Sequence, residues 1–113
     1  MLKIIQIILI FFCFVNIQII FAEEFKAGKK IATRICQTCH GMDGIATGAG
    51  NSVLSPNITA QQKDYLIAKL RSYKNNTISH PQMSVIASML SDEDIENVAH
   101  WYSSIKIEIT LPE

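Results

Sequence analysis

The sequence predicts an all-α domain of three to four helices, on three observations. Apolar residues recur at three- and four-residue steps around residues 25–35, 65–73 and 95–102, the period of a helix with one buried face. Two of those stretches follow segments of helix-capping form, Thr59-Ala60-Gln61-Gln62 and Ser91-Asp92-Glu93-Asp94. Finally, Cys36-Gln37-Thr38-Cys39-His40 sets two thiols three residues apart, which brings them to one side of a helical turn.

At 113 residues there is room for one domain. Residues 1–22 read as a secretory signal: one basic residue, Lys3, an apolar run, and the small residue Ala22 before Glu23-Glu24. Cleavage there leaves a domain of residues 23–113. The apolar run of about 18 residues also approaches the ~17–25 needed to cross a bilayer, so an uncleaved membrane anchor is the alternative. Both readings export the domain, which is expected in the periplasm, released or held at the periplasmic face of the inner membrane. Cys13, inside the run, reads as a small apolar filler.

Without Lys3 the chain carries nine Lys and Arg against ten Asp and Glu. That balance gives no basic surplus for binding nucleic acid. The charges are segregated, however. Lys26, Lys29, Lys30 and Arg34 precede the cysteines, and Asp92, Glu93, Asp94 and Glu96 cluster late in the chain. Solvated helix faces are the ordinary reading, and a weakly polar docking surface the sharper one.

The first predicted helix covers residues 24–36, with Phe25, Ile31, Ala32 and Ile35 as its stripe. Gly28 sits inside it despite costing ~1 kcal/mol relative to Ala, which points to close approach of another backbone. Residues 41–56 are rich in glycine and small side chains but lack the Gly-Lys-Ser/Thr of a phosphate loop. They suit a segment lying along the edge of a flat cofactor.

Thr59 is expected to cap a second helix running to about Tyr73, with Gln62 reaching back and Tyr65, Leu66, Leu70 and Tyr73 buried. Asn75-Asn76 ends it, since Asn tolerates the left-handed conformation. A loop follows over residues 77–82, where Pro81 holds His80 extended, then a short helix over residues 84–90. Ser91 opens the last helix, with acids on the positive end of its dipole and Ile95, Val98, Ala99 and Tyr102 facing inward. The tail, residues 105–113, alternates weakly and has no evident strand partner.

Cys-x-x-Cys-His is the attachment pattern for c-type haem. Cys36 and Cys39 can each reach one vinyl group of a porphyrin, and His40 can bind its iron from the proximal side. The expected cofactor is therefore one covalent haem c. Three groups compete for the sixth iron position: Met83, Met89 and His80. A thioether favours ferrous iron and raises the potential. Met83, at a loop-to-helix junction just after Pro81, is the favoured candidate, whereas Met89 lies among Ile86 and Leu90, where methionine ordinarily fills core. Met42 is too close to His40, and His100 reads as a surface histidine. A thiol–disulfide exchanger would need a strand–helix–strand context. A zinc site using His80 and His100 would have no common spacing.

Taken together, these residues resemble the single-haem class I c-type cytochromes of bacteria over residues 25–105. The resemblance runs from Gly28 through Cys36-x-x-Cys39-His40-Gly41, Gly44, Pro56-Asn57-Ile58 and Tyr65-Leu66. It continues through Met83, Ile86-Ala87 and Leu90-Ser91-Asp92-Glu93-Asp94-Ile95 to Val98-Ala99 and Trp101-Tyr102. It implies the class I cytochrome c fold, three to four helices around the covalent haem, with Met83 as distal ligand. It further implies that the Pro56 carbonyl accepts the Nδ1–H of His40, and that Gly28 marks the crossing of the first and last helices opposite Trp101-Tyr102. One departure is Asn76-Thr77-Ile78, where the family often has Gly-Thr-Arg. The haem propionates thus lack that arginine, leaving Arg71 and Tyr73 as candidates.

The expected function is a one-electron carrier and not an enzyme, because His40/Met83 ligation leaves no open iron site. It would shuttle electrons to or from respiratory complexes, with partners such as a cytochrome-containing reductase and a terminal oxidase. Docking would use a small interface, at or below ~1,200 Å². Membrane contact is expected only if the N-terminal apolar segment is retained. The alternative is a haem enzyme, or a gas or peroxide sensor, with a displaceable Met83 and a distal His80. No dedicated catalytic constellation supports it.

Overall fold

The computed structural model describes residues 2–46 and 55–112; the side chains of residues 2, 14 and 16–21 lie outside that description. Helix α1, Leu2–Ile31, passes into a π-helical segment, Ala32–Cys36, and then into the single turn α2, Gln37–His40. Helices α3 (Lys63–Lys74), α4 (Met83–Ser88) and α5 (Asp92–Ser103) follow. No strand forms among the described residues, and the fold is the all-helical one the sequence predicts.

The expected first helix is thus the C-terminal part of a longer one. Its N-terminal half stands clear of the domain, with Ile4, Leu9, Phe11 and Phe12 exposed. Among the described residues, no helix is long and apolar enough to cross a membrane. The signal or anchor expected at residues 1–22 falls in part on side chains outside the described residues.

The core forms where α1 crosses α5 and where α3 packs on α4 and α5. Ile31, Ala32, Leu66, Leu90, Ile95, Val98 and Tyr102 meet there. Burying a side chain the size of Ile95 contributes about 1.5–3 kcal/mol. The crossing itself depends on Gly28. A Cβ on that residue would fall on the Asn97 carbonyl oxygen and within 3.0 Å of the Trp101 Cβ, so only glycine lets the two backbones meet. Phe25 and Trp101 pack beside it with their rings tilted at 51°, centroids 4.9 Å apart.

The capping signal at Ser91 operates as read. Its hydroxyl accepts from the Asp94 N–H and its own N–H donates to the Asp94 carboxylate, both at 3.0 Å. The one at Thr59 does not. Helix α3 starts only at Lys63, its N-cap Gln62 makes no side-chain capping bond, and the Thr59 hydroxyl is buried with no partner among the described residues. Tertiary bonds win the segment: the Thr59 N–H donates to Gly44 O at 3.2 Å and the Ala60 N–H to Tyr102 O at 3.0 Å. Ala60 is held at φ 51°, which is incompatible with a helical first turn.

Two burial expectations also shift. Tyr65 is 49% exposed, and Ile67 takes the inward position beside Leu66. Met89 is 66% exposed, just past the end of α4, while Ala87 and Leu90 fill the core there. Two of the late acidic residues are paired across the α3–α5 contact: Glu96 with Arg71 and Asp92 with Lys74, each at 2.8 Å. Asn76, at φ 54°, turns the chain after α3 as expected.

Candidate haem-attachment site

The π-helical segment delivers the first thiol. Its wider turn is closed by the Gln37 N–H donating to the Ala32 carbonyl five residues back, and Cys36 is its last residue. Such segments recur at functional sites because they re-aim the side chains that follow. Cys36 packs against the hydrophobic core, whereas Cys39, one helical turn on, faces solvent. Both are free thiols. Burial, with a smaller contribution from Cys39, pushes the Cys36 thiol up to about 11. An exchanger draws instead on a thiol lowered toward the thiolate.

His40 ends α2 and is only 8% exposed. Its Nδ1 lies 2.9 Å from the Pro56 carbonyl oxygen. A carbonyl can only accept, so Nδ1 carries the proton and the Nε2 lone pair is free. Two free thiols a turn apart and an imidazole locked with Nε2 available are the donor set a covalent haem requires. The residues fit the group.

A clamp sets the distance between His40 and Pro56. Gly44, at φ 76°, adopts a conformation open to glycine, and its carbonyl accepts from the Ile58 N–H at 2.7 Å. The Ala46 N–H donates to Asn57 Oδ1 at 2.9 Å. From the other side, the Trp101 indole N–H donates to Met42 O at 3.1 Å and the Tyr102 hydroxyl to Gly41 O at 2.9 Å. Burial above all, with Cys36 and Asp43, pushes the Tyr102 phenol well above its ordinary range, which keeps it a donor. Sequence reasoning missed these two bonds, and the signal for them was general: a buried Tyr or Trp needs a partner for its polar tip. Of the glycine-rich stretch expected along the cofactor edge, residues 41–56, the half with Gly48 and Gly50, residues 47–54, falls outside the described residues.

Met83 is the first residue of α4 and is half-buried. Its N–H donates to His80 Nδ1 at 3.2 Å. Of the two residues considered for the propionates, Arg71 is committed to Glu96, and Tyr73 sets its ring against His80, centroids 5.8 Å apart. A cleft of about 350 Å³ between α1 and α5, lined by Lys30, Arg34, Glu93 and Asp94 among others, includes none of the predicted site residues.

The family profile described as cytochrome c oxidase, cbb3-type, subunit III matches residues 23–101, a span holding Cys36, Cys39, His40, Pro56 and Met83. Cytochrome c-554(548) of Halomonas halodenitrificans is 36% identical over 87 residues, 74% of this chain and 98% of its own. Cytochrome c6 of Gracilaria tenuistipitata var. liui is 29% identical over 86 residues, 76% of this chain and 77% of its own. Cytochrome c4 of Pseudomonas aeruginosa is 25% identical over 92 residues, 81% of this chain and 43% of its own.

Proposed function

The chain belongs to the class I c-type cytochromes, a family of haem-based electron carriers, and on that premise we propose a closed carrier site with His40 and Met83 as axial ligands. The haem, joined through thioethers, supplies an iron that changes valence by one electron. The rest is the work of the chain. Cys36 and Cys39 make the attachment permanent. His40 binds the iron through Nε2, and the Pro56 carbonyl, accepting its Nδ1–H, fixes the ring and raises its basicity. Met83 closes the sixth position with a neutral, soft sulfur that favours the ferrous state.

The observation that carries this reading is the His40–Pro56 hydrogen bond. It gives the imidazole one tautomer and one orientation, with Nε2 left for the iron. The test is the ferric absorption spectrum of the matured protein. A weak far-red band from the methionine–iron bond is expected in wild type and in Met89→Ala, and absent in Met83→Ala. A band that survives Met83→Ala overturns the ligand assignment.

Members of this family act as redox partners of other proteins and are typically exported. For this chain the reading is periplasmic, with residues 1–22 as the export signal and, if retained, as an anchor at the inner membrane. The exposed apolar side chains from Ile4 to Phe12 support a segment made for lipid or the export machinery. A cytochrome-containing reductase as donor and a terminal oxidase as acceptor are the proposed partners. The profile's description as an oxidase subunit supports the second.

A further inference from the structure

We infer that His80 is a positioning residue for Met83: its ring gathers the main-chain N–H groups that open α4 and fixes the turn from which the methionine projects. The inference rests on the reading of Met83 as the sixth ligand.

The first N–H groups of a helix have no partner within it. The N-cap position of α4 is Gln82, whose side chain makes no capping bond. The acceptor comes instead from two residues earlier. His80 Nδ1 takes the Gln82 N–H at 3.3 Å and the Met83 N–H at 3.2 Å. The backbone of His80 is engaged as well. Its N–H donates to Ser84 Oγ at 3.0 Å, and its carbonyl accepts the Ser84 N–H at 3.1 Å. Pro81, between His80 and Gln82, fixes φ and has no N–H to satisfy. The ring edge meets Tyr73 on α3, centroids 5.8 Å apart. The start of α4 is thereby tied to α3 through one imidazole.

This arrangement assigns His80 a role other than the sixth ligand considered for it. A thioether has no charge to hold it on iron against competing ligands. Its retention depends on how little freedom the segment regains when the bond opens. Loss of the two N–H contacts should favour the opened form, and an added ligand should then bind iron more tightly without any change at His40.

The test is imidazole titration of the ferric holoprotein, read as loss of the far-red band. His80→Ala is expected to bind imidazole roughly fivefold more tightly than wild type, the effect of losing about one net hydrogen bond. His80→Asn, whose Oδ1 can take the place of Nδ1, is expected to stay within about twofold of wild type. Unchanged affinity in His80→Ala overturns the inference. So does an Asn variant as loose as Ala, which would assign the effect to ring packing on Tyr73. If the Ala variant does not mature, the Asn variant decides alone, and a fivefold tightening there overturns the inference. A wild type with no far-red band overturns the Met83 reading, and this one with it. A wild type with the band and an unresponsive His80→Ala overturns this one only.

Discussion

The hydroxyl of Tyr102 donates to the Gly41 carbonyl at 2.9 Å, joining the last helix to the residue that follows His40. Trp101 makes the parallel bond to Met42, so two neighbouring side chains of α5 hold two consecutive carbonyls of the haem-motif loop. The helix crossing at Gly28 and the presentation of His40 are therefore parts of one assembly. What positions α5 also positions the imidazole.

Tyr102→Phe keeps the ring and removes the donor, leaving the Gly41 carbonyl only the longer bond from the Gly44 N–H at 3.3 Å. The expected cost is about 0.5–1.5 kcal/mol, the net worth of one hydrogen bond, read as a lower urea midpoint with unchanged slope. The far-red band should persist, because the His40–Pro56 bond is untouched. A midpoint equal to wild type would mean water replaces the hydroxyl at no cost.

Gly28→Ala separates two opposing effects. Helix propensity alone favours alanine by ~1 kcal/mol. The added Cβ, however, falls on the Asn97 carbonyl oxygen, and overpacking of this kind typically costs about 1–3 kcal/mol. The contact is with backbone, which cannot rotate away, so net destabilisation is expected in chemical denaturation. A stabilised variant would show that the helices part freely.

Asp92 lies against Lys74, whose hydrogen bond and charge hold its carboxyl below the usual carboxylate range. A depressed folded value means the pair's contribution is fully present above the unfolded Asp pKa. It is lost as pH falls through the folded value. NMR titration should find Asp92 ionising below an ordinary Asp, and Lys74→Ala should bring it back up. Exposure keeps the effect on stability small.

Cys36→Ser and Cys39→Ser should each lower stability, and the double variant, with no thioether, should lose much of its helical circular dichroism. A domain this small buries a modest core, and Cys36 packs directly on it. A haem-free protein with native helix content would contradict this.

Much of the site was legible because its chemistry is local. Cys36, Cys39 and His40 announce themselves by spacing, and Ser91 with Asp94 forms a cap from residues three apart. The Thr59 cap failed for the converse reason. Gly44 and Tyr102, distant in sequence, take the N–H groups of Thr59 and Ala60, and no local pattern encodes that competition. Tyr65 adjoins the buried stripe of α3 and differs from Leu66 by about a hundred degrees of helix rotation, and Met89 falls just past the end of α4, where the helical period no longer sets its facing. The bond from the Met83 N–H to His80 Nδ1 depends on a ring folding back over Pro81, a geometry composition does not express.

Carbon monoxide offered to the reduced protein separates a closed one-electron carrier from an open iron site. A closed site leaves the ferrous spectrum of wild type unchanged and admits carbon monoxide readily only in Met83→Ala, with a reversible single-electron titration of the wild type. Rapid carbon monoxide binding by the wild type would contradict the closed site and place an open or labile iron site at the centre of the protein's function.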